Sequence, residues 1–234
     1  MHEDTADKKS AIGEFDVGLR GYMVRVYNYM AAGLTITGIV AYLAAATGFY
    51  QVILGTALYW VVVFAPLALV LLLSFRIQSM SVAAAQLTFW AYAGLVGLSL
   101  SSLFIIYTGA SIARVFFITA GTFLAMSLYG YTTKSDLSKF SAFLIMGLIG
   151  IIIAGLVNLF IVSSGVQFAI SVIGVVVFVG LTAWDTQRIK ELYQGEDVSI
   201  VNKKKAIIGA LTLYLDFINL FILLMQLLGK RREQ

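Results

Sequence analysis

The sequence predicts an all-α integral membrane protein, a seven-transmembrane helix bundle with the last helix at its centre. Three observations predict this. Of 234 residues, 60% are hydrophobic and only 12% charged, about half the charged share of a soluble domain. The apolar runs are about 20 residues long, the length a helix needs to cross the hydrocarbon core; barrel strands would be about 10 residues long with alternating polarity. Most links are also very short, as in "GFYQV", "TGAS" and "SSGV", so consecutive spans are antiparallel neighbours and no separate soluble domain intervenes.

Charged or polar breaks divide the chain into spans at 26–47, 53–75, 83–107, 112–131, 139–162, 167–187 and 206–228. The first follows Arg25, and the second closes on Arg76. The third and fourth are separated by "TGAS", and the fourth ends before Lys134. The fifth runs from Lys139 to "SSGV", and the sixth ends at Arg188. The seventh lies between Lys205 and Lys230, after the long link "RIKELYQGEDVSIVNKKK". Residues 1–25 then form a cytoplasmic tail, 26–229 the membrane domain and 230–234 a second tail. Residues 1–25 have no apolar centre, so no signal peptide is expected there. Small residues recur in "AGLTITG" and "GLVGLSLSS", and in lipid they permit close helix approach without any further function.

Orientation follows from lysine and arginine. Twelve of them fall on the side of residues 8–25, Arg76, Lys134, Lys139 and the long link, and four on the side of Arg114 and the C-terminal tail. The positive-inside rule places the N-terminus in the cytoplasm and, with seven spans, the C-terminus outside. The basic "KRR" at 230–232 fits better with a re-entrant last segment; a length sufficient to cross favours seven full spans. The net charge of +4 lies in loops and tails, so it reports orientation and points away from nucleic acid. The lack of cysteine excludes disulfides, thiolate metal sites and cysteine nucleophiles.

One carboxylate stands inside the seventh span. Asp216, in "LTLYLDFINLF", is about ten residues and therefore roughly 15 Å deep. An ionised acid there costs about 2.5 to 3.5 kcal/mol or more. Gly209, Thr212, Asp216, Asn219 and Gln226 share one helical face. Lipid cannot satisfy that stripe, so span seven is expected to be an inner helix. Asp185, in "LTAWDTQRIK", closes span six on a face that runs back through Thr182, Phe178, Gly174 and Ser171. Both acids and Arg76 belong to the cytoplasmic half and are able to converge. The bland alternatives are a local Asp185–Arg188 pair, a hydroxyl-held Asp216 and a snorkelling Arg76. Asp185 also reads as nearer the interface than Asp216, so direct contact needs a tilt or a different helix start.

At these stretches the sequence resembles the Bax-inhibitor (transmembrane Bax inhibitor motif) family in its bacterial branch. The matching residues are "AWDTQRIK", "LYLDFINLF", "TKSDLSKFS", "LVNLF" around Asn158, and Arg76. The resemblance implies a seven-helix fold whose last helix is ringed by the other six. It implies that Asp185 and Asp216 form a proton-sensitive latch, with Arg76 pairing Asp185 in the closed state. Thr182, Thr212, Asn219 and Asn158 are supporting polar candidates. Family members are described as calcium leak channels and, in eukaryotes, as suppressors of cell death; one bacterial relative modulates a membrane-anchored protease.

The expected function is a pH-sensitive calcium leak of a bacterial inner membrane, not an enzyme and without a cofactor. Calcium is the permeant ion and a transient ligand of Asp185 and Asp216, since two acids are too few for a tight site of 6–8 oxygens. The alternative is a regulator that binds another membrane protein through residues 1–20 and the long link. Gln86, Thr88, Ser99, Ser101 and Ser102 in span three either line a path or hydrogen-bond between helices. Intramembrane aspartyl proteolysis would need a Gly-x-Gly-Asp pattern, whereas "LYL" precedes Asp216. Serine proteolysis lacks a base other than His2, and a retinal site lacks a lysine within span seven. No phosphate-binding loop supports ATP-driven transport.

Overall fold

The computed structural model describes residues 3–193, 195 and 200–232. His2, residues 194 and 196–199 of the long link, and the last two residues of the C-terminal tail lie outside these. The helices are α1 (Glu3–Ala46), α2 (Phe49–Leu54), α3 (Leu58–Arg76), α4 (Val82–Ile106), α5 (Gly109–Thr132), α6 (Ser141–Ile161), α7 (Ser164–Glu191) and α8 (Ile200–Leu228). A 3-10 turn at Leu137–Phe140 leads into α6. Among the described residues, seven helices are long and apolar enough to cross a membrane. Ser81, Thr108 and Ser163 cap α4, α5 and α7 by accepting backbone N–H bonds.

Two boundaries differ from the sequence reading. Helix α1 runs unbroken from Glu3, so most of the stretch read as a tail is helical, and Leu19, Tyr22 and Met23 are buried in the core. Arg20 broke the apolar run in sequence, yet it sits on the exposed side of the helix. Likewise α8 begins at Ile200, so the Lys203–Lys205 run read as loop is helical. The first link holds the short α2, whose Ile53 is buried.

Helix α8 is the centre: 72% of its most apolar stretch is buried, against 11% in α3 and in the α6 segment. Its main neighbours are α7, α1, α5 and α4; α3 packs chiefly on α4 and α6 on α7. The full ring of six implied by the resemblance is therefore replaced by four inner helices and two outer ones. Spans without a polar stripe have nothing that lipid cannot solvate, so they go outside.

The small-residue runs of spans one and three meet. A side chain at Gly97 would strike the Thr37 backbone, and one at Gly33 would strike Phe89. Thr37 uses the close approach to donate to the Ala93 carbonyl at 2.9 Å, and its hydroxyl lies 2.6 Å from that of Tyr214 in α8. Pro66 sits inside α3 and has no N–H for the Val62 carbonyl. Ser99 of α4 donates to that carbonyl instead, at 3.0 Å. Gln86 donates to the Tyr29 hydroxyl, while Thr88, Ser101 and Ser102 bond backbone carbonyls of α4 itself. The polar residues of span three are thus engaged in hydrogen bonds within and between helices.

The two ends of α8 lie at opposite ends of the bundle. At its start, Lys204 Nζ donates to the Gln78 carbonyl beyond α3. At its finish, residues 230–232 run along the α4–α5 link: Thr108 N donates to Lys230 O at 3.0 Å, and Arg232 N to Ile106 O at 2.9 Å. α8 thus runs from one end of the bundle to the other and does not turn back.

Candidate functional site

Helices α7 and α8 run antiparallel in a regular register. A side chain at Gly209 would touch Ile189, one at Gly174 would meet Leu223, and Ser171 bonds Gln226. Within that register the carboxyls of Asp185 and Asp216 lie in hydrogen-bonding reach of each other. Carboxyls make such a contact only when one of them carries a proton. The apparent mismatch in depth disappears because α8 overhangs α7. Asp185 is six residues from the end of α7 and Asp216 sixteen from the start of α8, about 9 Å and 24 Å along the respective axes. Lys205 Nζ bonds the Leu192 carbonyl, so the first turn of α8 projects past its partner.

The pair is secluded. Asp185 is 7% exposed and Asp216 4%. Asp216 Oδ2 has no hydrogen-bond partner. The cation that acts on Asp185 is Arg188, one turn further along α7; its guanidinium lies 5.6 Å from the Trp184 ring centre. Arg76 is not brought to the pair. It is exposed at the end of α3, and among the described residues it makes no ion pair.

The supporting candidates separate. Thr182 is fully buried one turn before Asp185, but its hydroxyl donates to Phe178 O at 2.8 Å. Thr212 and Asn219 flank Asp216 on α8 and bond the carbonyls of Ile208 and Leu215. Asn158 lies at the other end of the bundle. There it accepts from Ser163 N at 3.0 Å and donates to Gln167 Oε1 at 3.2 Å. It thereby holds the α6–α7 turn, in which Val162 takes a left-handed φ of 52°, costly for a β-branched residue. Gln226 Oε1 accepts from both Gln167 Nε2 and Ser171 Oγ at 2.7 Å. A polar cluster of amides and a hydroxyl thus joins α6, α7 and α8 there.

Several residues at the acid end were not anticipated. The Tyr27 and Ser127 hydroxyls are 2.6 Å apart, and those of Ser127 and Thr186 2.9 Å apart, which links α1, α5 and α7 beside Asp185. Gln187 accepts from Leu137 N and donates to Ser135 O, pinning the α5–α6 link. Lys190 donates to Tyr131 O near the end of α5. Lysines at this end therefore satisfy carbonyls where α3, α5 and α7 finish, and their charge suits those helix C-termini. The sequence signal was the basic long link, whose charges were counted for orientation alone.

Chemically, the site offers two carboxyls close enough to share a proton, and a nearby guanidinium. Among the described residues no group of three His, Cys, Asp or Glu side chains converges. A hard cation at the pair would need carbonyls or water to complete its shell.

The seven-helix architecture and the buried acid pair define a multi-pass, all-α integral membrane protein. The family model "Inhibitor of apoptosis-promoting Bax1" matches residues 19–233, and the chain belongs to that family. It is 47% identical to the inner membrane protein YbhL of Escherichia coli strain K12, over 98% of this chain and all of that one. It is 52% identical to the uncharacterized protein RP147 of Rickettsia prowazekii, over 94% of this chain and 93% of that one. A streptococcal membrane protein, SpyM3_0260 of Streptococcus pyogenes, is 35% identical over 92% of this chain and 95% of its own.

Proposed function

We propose that the protein is a proton-sensitive cation leak, with calcium as the permeant ion, and that Asp185 and Asp216 form its latch. The observation that carries the proposal is the meeting of two buried carboxyls from α7 and α8, one with an oxygen left unpartnered. With a proton between them, the acids tie the two helices together. Without it, two like charges about 4 Å apart at an effective dielectric near 20 repel by about 4 kcal/mol. That is enough to spread the helices or to draw in a cation.

A cavity of about 350 Å³ lined by Ser74, Ile77, Leu211, Thr212 and Leu215 approaches within one turn of Asp216. It supports an aqueous entry from the end where α8 begins. Lys204 and Lys205 also line it, but their ammonium groups are tied to carbonyls. In this reading the lysine-rich end is cytoplasmic and the membrane is a bacterial inner membrane, as for the E. coli relative.

The test is calcium flux into dye-loaded liposomes at pH 6, 7 and 8 for wild type, Asp216→Asn and Asp185→Asn. The wild type should respond to pH, Asp216→Asn should lose the response and pass less calcium, and Asp185→Asn should shift it. Wild-type flux and pH dependence in Asp216→Asn would sink the latch. If no variant or wild type conducts, the acid pair serves contact with another membrane protein.

A further inference from the structure

Helices α1 and α5 leave a gap between them. α1 packs chiefly on α4 and α8, and α5 on α7 and α8. Between them a cleft of about 430 Å³ opens sideways, toward the acyl chains of the bilayer. Met23, Val24, Leu124 and Leu128 wall it, and the Tyr27–Ser127 hydrogen bond lies at its base. Leu124 and Leu128 are 63% and 64% exposed, so these walls are left uncovered by the protein itself.

The mouth of the cleft is basic. Arg20 lines it, is exposed, and among the described residues has no hydrogen bond or ion pair. Asp16, one turn earlier on α1, is not paired with it. Lys190 adds positive charge beside Tyr131, which lines the cleft: its ammonium donates to the Tyr131 carbonyl at 2.9 Å and lies 5.2 Å from the ring centre. Tyr131, beside Lys190, closes the apolar run of α5 just before Lys134, and Leu124 lies seven residues further into that run. The cations therefore sit at headgroup level while the apolar walls descend about 10 Å into the bilayer.

We propose that this cleft is a binding site for one anionic phospholipid, with its phosphate on Arg20 and an acyl chain along the α1–α5 seam. Charge and volume select the occupant. A guanidinium matches a phosphate in a two-point contact. A protein helix about 10 Å across would need about 800 Å³ over the same depth, nearly twice the space present. A zwitterionic lipid brings its own ammonium to compete with Arg20, so an anionic headgroup is preferred.

Native mass spectrometry of the full chain, with phosphatidylglycerol or phosphatidylcholine added to the detergent, tests this site. Wild type should retain one phosphatidylglycerol under activation that strips phosphatidylcholine. Arg20→Gln should lower the retained fraction about fivefold. Leu124→Trp, which fills the cleft, should lower it as well. Arg114→Gln, an exposed arginine at the opposite end, should leave it unchanged. The proposal is overturned if Arg20→Gln and Leu124→Trp bind as wild type does, if the two lipids are held equally, or if the occupant is a second copy of the chain that Leu124→Trp releases.

Discussion

Helices α7 and α8 meet through polar side chains at two heights, and the two contacts are chemically unlike. At one end Ser171 and Gln167 donate to Gln226, and Asn158 ties that cluster to α6. These groups cannot ionise in the physiological range, and the donors of Asn158, Gln167 and Ser171 each have an acceptor. At the other end two carboxyls face each other with one oxygen unsatisfied. If holding the helices together were the only need, amides would serve both ends and no acid would have to be buried. A contact made from acids changes its sign when a proton leaves. One end is a fastener, and the other is a fastener that, in the proposed function, protonation controls.

The largest expected effect separates the ends by pH. Loss of the shared proton leaves two like charges, so wild type should melt at a lower temperature at pH 8 than at pH 6. Asp216→Asn removes one ionisable partner, and its two melting temperatures should converge. Tryptophan fluorescence on heating in detergent measures both. An undiminished pH difference in Asp216→Asn would place the titration elsewhere.

A smaller effect is expected at the amide end. Gln226→Leu strips Gln167 and Ser171 of their shared acceptor and should cost about 1 kcal/mol. The loss should be the same at pH 6 and pH 8, as read from the same melts. A pH-dependent loss would erase the distinction between the two contacts.

The smallest effect is expected from Arg76→Gln. Because Arg76 is exposed and unpaired among the described residues, its removal should change stability by less than about 0.5 kcal/mol. A drop of several kcal/mol in the same assay would mean that Arg76 shares in the latch in a conformation other than this one.

Seven spans were legible because breaks in apolar runs survive any arrangement of helices. The central place of α8 was legible because its polar stripe could not face lipid. The acids were legible from their cost alone. What escaped depended on surroundings. Arg20 interrupts a sequence run without interrupting a helix, since one exposed side is enough for it. Lys203–Lys205 look like a loop because hydropathy cannot tell a link from a helix that overhangs its neighbours. The peripheral place of α3 and α6 had a signal, their lack of a polar stripe, which was not weighed. Asn158 lay in a family-like stretch, but only the packing showed that it serves a turn at the far end from the acids.

The central helix is also the seventh span to be made. Ribosomes add residues from the N-terminus, so α1, α4, α5 and α7 enter the membrane before the element that joins them exists. Until about residue 228 has emerged, Thr37 has no Tyr214 beside it and Asp185 has no Asp216. The half-made protein is a loose set of hairpins whose polar groups must borrow water, lipid headgroups or an insertion partner. Assembly is therefore a late event in this chain's biogenesis. Chains stalled or cut before α8 should be recognised and degraded as unfinished, while those that receive it close around it at once.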